Sequence, residues 1–397
     1  MSNHNMLSKL AFVILVSGAL TCQSQENIIW KFTAKSGIYS SPVIDNNIIY
    51  FGSNDSSLYA LDKNTGKTNW SYNTKGQIRS KPLIHNETII FNSTDGFIYS
   101  LNKNNGNEKW RFKTEGEKMY DIWDYYLSSP VFFEGMVYAG SGDSYVYAIN
   151  AENGQLIWKQ KTGDVVHASP VVFNQKVMAG SFDGYFYAFN YKTGEVQWKF
   201  KTVGDAYFPK GEIQREAVVY ENSVVFGSRD YNIYALNCNT GTGLWNMKEL
   251  GSWIIATPLV YKGNLYFGTS DSHRFYCMNA QTGEVRWSLQ LNMRVYATAV
   301  IYKDKVCFGC FNGKLYGVNY QTGIIEYVFQ TPESKVNYSG IYKENDVFRD
   351  DFVLYGTDTE KSEKRILELG SILSTPVINE GIIYFGDSNG FFYAIRL

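Results

Sequence analysis

Aromatic residues recur along this 397-residue chain at a nearly constant spacing, and no other feature narrows its fold as far. Trp30, Trp70, Trp110, Trp158, Trp198, Trp245, Trp287 and Tyr327 follow one another at intervals of 40, 40, 48, 40, 47, 42 and 40 residues. A fixed period of this length means that one supersecondary unit is copied, and that each copy buries its apolar face against a neighbour. A turn carrying glycine precedes most of these aromatics, as in Asn64-Thr65-Gly66, Lys192-Thr193-Gly194 and Gln281-Thr282-Gly283. Glycine there supplies the positive φ of a tight hairpin.

Each unit reads as four short strands. In the first they are Tyr39 to Ile44, Ile48 to Gly52, Leu58 to Asp62 and Thr68 to Tyr72. Four strands per repeat around a ring make a β-propeller. The last unit, from Ile372, stops after its third strand, and Ile28 to Phe32 stands alone ahead of the first unit. Pairing the two closes the ring and removes two open edges. The expected fold is therefore all-β, a single propeller of eight four-stranded blades closed by N- and C-terminal strands. Residues 330–370 are irregular. Tyr338 to Glu344 echoes Tyr296 to Asp304, and Phe352 to Gly356 reads as a strand. The stretch is a decayed unit or an insertion, and a nine-unit ring is the alternative.

Composition agrees with a packed, strand-rich domain. Hydrophobic residues make up 44% and charged residues 19%, which argues against disorder. The net charge of −1 carries no global field toward nucleic acid. Residues 1–25 read as a signal peptide, with Lys9 ahead of an apolar run from Leu10 to Leu20 that is too short to span a bilayer. Export follows, to the periplasm, the outer membrane or the outside. Cys22 offers a lipidation site that would be the chain's only membrane attachment, although Ala19 and Thr21 depart from the usual lipoprotein pattern. Residues 26–397 form the propeller, expected as a monomer. Cys307 and Cys310 make a C-x-x-C inside a strand pattern and read as small apolar residues, so no metal is expected.

The recurring phrase Tyr-Ala-(Leu/Ile/Phe)-(Asp/Asn)-x-x-x-Gly-x-x-x-Trp resembles the repeat of pyrroloquinoline-quinone (PQQ) enzymes, in which Trp and Gly dock one blade on the next. The resemblance covers nearly the whole chain after the signal. It implies either a quinoprotein alcohol dehydrogenase, using PQQ and calcium, or a non-catalytic scaffold lipoprotein of outer-membrane protein assembly. Fold alone does not choose. The chain resembles the scaffolds more, because it lacks the adjacent Cys-Cys pair of the dehydrogenases, and no cofactor is expected. The acids recurring between second and third strands (Asp55, Asp95, Asp143, Asp183, Asp230, Asp271) read as turn residues.

Function in a repeat protein is sought where the repeat lapses. Two connections between blades are enlarged, Glu115 to Tyr126 and Val203 to Ile213, and they carry Tyr120, Trp123, Tyr207 and Lys210. Aromatics on loops suit stacking on sugars or packing on a partner, or else form a satellite core. The position opening the innermost strand varies as Tyr39, Arg79, Leu127, His167, Gln214, Ile255, Tyr296, Tyr338 and Leu373, which would ring the channel mouth. Arg215, Arg229, His273, Arg274 and Arg294 fall on or near the same rim. Arginine clusters favour carboxylates or sulfates. His167 as base, Tyr296 or Tyr39 as acid and Arg79 as enolate stabiliser would suit elimination next to a uronate carboxyl. The favoured expectation is thus a propeller that binds, and if catalytic acts as a lyase or dehydratase on, an acidic saccharide. The alternatives are a scaffold with an envelope protein partner and a PQQ-dependent dehydrogenase.

Overall fold

The computed structural model describes residues 27–397, and in them the chain forms eight antiparallel sheets of four strands each. Blade 1 comprises Val43–Asp45, Ile48–Gly52, Ser57–Asp62 and Thr68–Asn73, and blades 2 to 7 repeat that order up to Ile325–Gln330. Blade 8 takes Val377–Asn379, Ile382–Gly386 and Phe391–Arg396 from the C-terminus and Ile28–Thr33 from the N-terminus. The closing pair is antiparallel, with Trp30 opposite Ala394 and Phe32 opposite Phe392. The eight-bladed, terminally closed ring is as expected, and nine blades are excluded among the described residues.

The repeat residues explain how the blades stack. Gly66 sits at φ 69°, and a Cβ there would lie 2.6 Å from the Trp30 ring. The same glycine therefore makes the turn and seats the tryptophan of the neighbouring blade. Trp30 Nε1 donates to the Lys63 carbonyl at 2.9 Å, and Trp70, Trp110, Trp158, Trp198 and Trp287 repeat the bond one blade on. Tyr327 faces blade 8, whose third and fourth strands come from opposite chain ends and have no turn to supply such a glycine. A second close approach holds the inner ring: a Cβ on Gly52 would meet Ile78 of the next blade at 2.2 Å.

The recurrent acids do the turn work expected of them, plus one more task. Asp55 accepts from the Ser57 N–H, the Tyr59 hydroxyl and the Lys35 N–H of the preceding connection. Asp95, Asp143, Asp183 and Asp230 each accept the equivalent tyrosine hydroxyl. Asp271 does not: Tyr276 donates to Glu249 instead, and Asp271 receives the Tyr355 hydroxyl.

Residues 331–371 are the connection between blades 7 and 8. They hold a short helix α1 (Pro332–Asn337), a 3-10 turn (Tyr338–Gly340) and helix α2 (Thr359–Leu367). Asp358 caps α2 by accepting from the Lys361 N–H at 3.0 Å. The strand expected at Phe352 to Gly356 does not form. Tyr338 is not on the channel ring either, because it opens the 3-10 turn and stacks on Tyr342 with ring centroids 4.4 Å apart. A match to the strand pattern over a few apolar residues is overridden here by packing on the rim.

Candidate functional site

In a four-stranded antiparallel blade the connections to the next blade and the turns between second and third strands emerge on one face. The enlarged connections 115–126 and 203–213 and the insertion 331–371 therefore share one rim. They close the channel mouth rather than frame an open site. Tyr125 lies edge-on to Tyr39 (5.7 Å) and Phe311 (5.7 Å), and Tyr296 lies edge-on to Phe311 (4.8 Å). Tyr126 reaches across to donate to the Leu373 carbonyl at 3.0 Å. All five rings are buried.

His167 is held on both sides. Its Nδ1 donates to Asp124 at 2.8 Å and its Nε2 to Glu117 at 2.7 Å. Burial works against its charge, but the carboxylates of Asp124 and Glu117 outweigh that and lift its pKa to about 10. An imidazolium with both N–H groups engaged cannot take a proton at neutral pH, so the structure removes the base of the elimination scheme. The acids are displaced too. Tyr296 is fully buried and bonds Ser270 at 2.8 Å, and Tyr39 is buried against Tyr125. Of the expected trio, Arg79 and His167 share a cavity, and Tyr296 does not reach it.

The expected binding arginines are mostly committed elsewhere. Arg229 is buried, pairs with Asp121 and donates to Gln214 at 3.1 and 2.8 Å. Arg294, 0% exposed, forms a two-bond pair with Glu363 of α2 at 3.0 and 2.9 Å. Arg274 is exposed on the third strand of blade 6, where its guanidinium meets Ser288 at 3.5 Å. His273 takes a turn position at φ 51°, and burial with Arg294 nearby lowers its pKa to about 4, so it is neutral. Arg79 donates to Asn54 at 3.2 Å and to the Asp124 carbonyl at 3.1 Å. Arg215 lies over the Tyr126 ring at 3.7 Å.

The loop aromatics pack on the protein. Trp123 meets Trp253 edge-on at 5.6 Å, and Tyr120 lies on Phe182 at 4.3 Å with its hydroxyl toward Glu212. Lys210 pairs with Asp164 at 2.9 Å. Of the four expected loop contacts, Tyr207 (82% exposed) and Lys210 are open to solvent. Cys22 lies outside the described residues.

One sequence signal of this closure went unread. Blade 2 has Asn92 where most blades end the second strand in glycine, and the slot it faces belongs to Tyr126. Tyr126 leaves the slot to cross the channel, which makes room for an asparagine side chain that donates to the Gly140 carbonyl at 3.3 Å. The two departures from the repeat are one event.

A closed ring of eight blades docked through Trp and Gly, with its channel mouth filled by its own loops, defines a propeller of the PQQ-like repeat class. Within that class the chain belongs to the family described as outer membrane protein assembly factor BamB, whose model matches residues 18–123, 125–248 and 208–397. No curated protein matches the chain. Among solved structures, BamB from Moraxella catarrhalis superposes with a TM-score of 0.69 at 13% identity, covering 93% of this chain and 99% of that one. A computationally designed protein, Ika8, gives 0.69 at 15% identity, over 94% and 100%. A europium-containing methanol dehydrogenase gives 0.67 at 12% identity, over 95% and 96%. At these identities the likeness shows the fold alone.

The family match overturns the acidic-saccharide reading with its lyase or dehydratase chemistry, and the clamped His167 supplies the physical reason. The residues present do not fit PQQ with calcium either. Among the described residues no group of three or more His, Cys, Asp or Glu could hold a metal ion, and the channel mouth is packed with aromatic rings.

Proposed function

We propose that this chain is a non-catalytic docking scaffold of the cell envelope, exported and attached there, which holds another outer-membrane assembly protein on its loop-rich face. Membership of the assembly-factor family supports this reading. The observation that carries it is the distribution of exposed apolar side chains. One set (Leu156, Val196, Leu244, Val285) recurs blade by blade on the outer strands and belongs to the repeat. The remainder includes Leu250 (89% exposed), Tyr207 (82%), Val336 (78%), Val203 (73%) and Met119 (59%), and every one of these lies in a connection between blades on the same rim. The opposite face carries polar hairpins such as Asp45-Asn46-Asn47 and Asn174-Gln175. Apart from Ile324, 62% exposed in the hairpin ahead of the outer strand of blade 7, the most exposed apolar side chains among the described residues concentrate on this rim, which fits a protein partner.

The test is recovery of partners from solubilised envelopes with a tagged chain. An outer-membrane assembly protein should co-purify with the wild type, and the double substitution Tyr207→Ser with Leu250→Ser should abolish recovery without changing the unfolding midpoint. Recovery of no such protein, or equal recovery by the double variant, would overturn the proposal.

A further inference from the structure

Below the Tyr126 bar the channel keeps a cavity of about 100 Å³ whose wall departs from the repeat in an informative way. One residue per blade, just ahead of the innermost strand, carries a hydroxyl in six blades, and in four of them it accepts the N–H of its counterpart in the preceding blade. The Lys81 N–H donates to Ser129 at 2.9 Å and the Ser129 N–H to Ser169 at 2.9 Å. The Thr298 N–H donates to Thr375 at 3.2 Å and the Thr375 N–H to Ser41 at 2.9 Å. The girdle closes only over these two arcs: Lys81 and Glu216 replace the hydroxyl and deprive the N–H groups of Ser41 and Ser169 of an acceptor, and the buried hydroxyls of Thr257 and Thr298 take up no such bond either.

The charges at the interruptions are unmatched. Neither Lys81, Arg215 nor Glu216 forms an ion pair among the described residues, and Arg79 on the same wall has no carboxylate partner within a salt-bridge distance. Arg215 stands where the other blades have Ser or Ala, and its buried Nε has no hydrogen-bond partner. Stacking on Tyr126 covers one face of its guanidinium and leaves the in-plane donors for a ligand. Arg79, Lys81 and Arg215 thus face Glu216 in a pocket that Tyr126, Leu127 and His167, itself held by Glu117 and Asp124, also line.

We propose that this cavity binds a small inorganic oxyanion of the phosphate or sulfate type, held by Arg215 and Lys81 with Arg79 behind them. Charge-assisted bonds from a guanidinium fork and an ammonium suit a tetrahedral dianion, and Glu216 weakens the site by repelling it. The site is independent of the docking reading, because partner recovery tests the rim and anion titration tests the channel.

Isothermal titration of the purified chain with phosphate, sulfate and acetate at constant ionic strength decides the matter. Saturable phosphate or sulfate binding is expected, weakened at least about fivefold by Arg215→Gln and by Lys81→Gln and tightened by Glu216→Gln. The Lys81 side chain is exposed, so that variant keeps the test valid if the arginine variant misfolds. Absence of saturation, binding unchanged in the Lys81 variant, or acetate binding as tight as the dianions would overturn the proposal.

Discussion

Replacing Glu363 by Leu should unlatch the insertion from the ring, at a cost that the geometry sets. Glu363 is the inward-facing acid of α2, 5% exposed, and it meets a guanidinium that is 0% exposed through two bonds of 3.0 and 2.9 Å. It also accepts the Tyr125 hydroxyl of the 115–126 loop. One carboxylate therefore ties the insertion, blade 6–7 connection and channel plug together. Removing one partner of a buried ion pair leaves the other charge uncompensated and costs about 3–5 kcal/mol. At about 2.1 cal/mol/K of unfolding entropy per residue, the 371 residues from 27 to 397 give roughly 0.8 kcal/mol/K, so the melting temperature should fall by about 4–6 °C. Urea unfolding followed by tryptophan fluorescence would show the midpoint falling at an unchanged slope. The double variant Arg294→Met with Glu363→Leu should recover most of the loss, because an apolar pair of similar volume avoids the desolvation of both charges. A single-variant loss below about 1 kcal/mol, or a double variant no better than the single, would refute the latch.

Gly66→Ala should cost about 2–5 kcal/mol, from the left-handed backbone and the 2.6 Å approach to Trp30, whereas Gly135→Ala, at φ 80° with nothing within 4 Å, should cost about 1–2 kcal/mol; equal midpoints in urea would sink the docking role of the glycine. His167 has a folded pKa of about 10, above its ordinary 6.5, so its clamp contributes fully below pH 6.5 and is lost as pH rises through 10. Burial likewise raises Asp387 from 3.8 to about 7, which makes stability fall as pH rises between those values. Midpoints measured across pH should lose the upper slope in His167→Gln and the lower one in Asp387→Asn, and slopes that persist in the variants would assign them to other groups. Tyr126→Ile should clash with Asn92, and Asn92→Gly should relieve it, giving a coupling of at least about 1 kcal/mol in a double-mutant cycle; additive losses would separate the two residues.

The parts of the molecule that repeat were legible in the chain because the same local physics acts eight times. The strand order, the terminal closure by Ile28 to Phe32 and the turn duty of Asp55 and its counterparts all follow from spacing and residue type. The site was misread because its residues were weighed one position at a time. His167 at a channel mouth has the look of a base until Glu117 and Asp124, 50 and 43 positions earlier, are seen on its two nitrogens. The basic rim loses its surplus charge the same way, since Asp121 and Glu363 reach Arg229 and Arg294 from distant connections.

By itself, then, the sequence determined the propeller and its closure by the terminal strands, because blade stacking depends on neighbours a constant distance apart in the chain, and it left eight or nine blades open until residues 331–371 were seen as a connection. Only the tertiary structure decided what the ring's mouth does. Connections between blades follow no period, and their side chains meet across the channel from blades hundreds of residues apart, as Tyr125 meets Glu363 over 238 positions. Whether an arginine there is a ligand site or half of an ion pair depends on those crossings, which is why Arg294 closed the channel and Arg215 was left open.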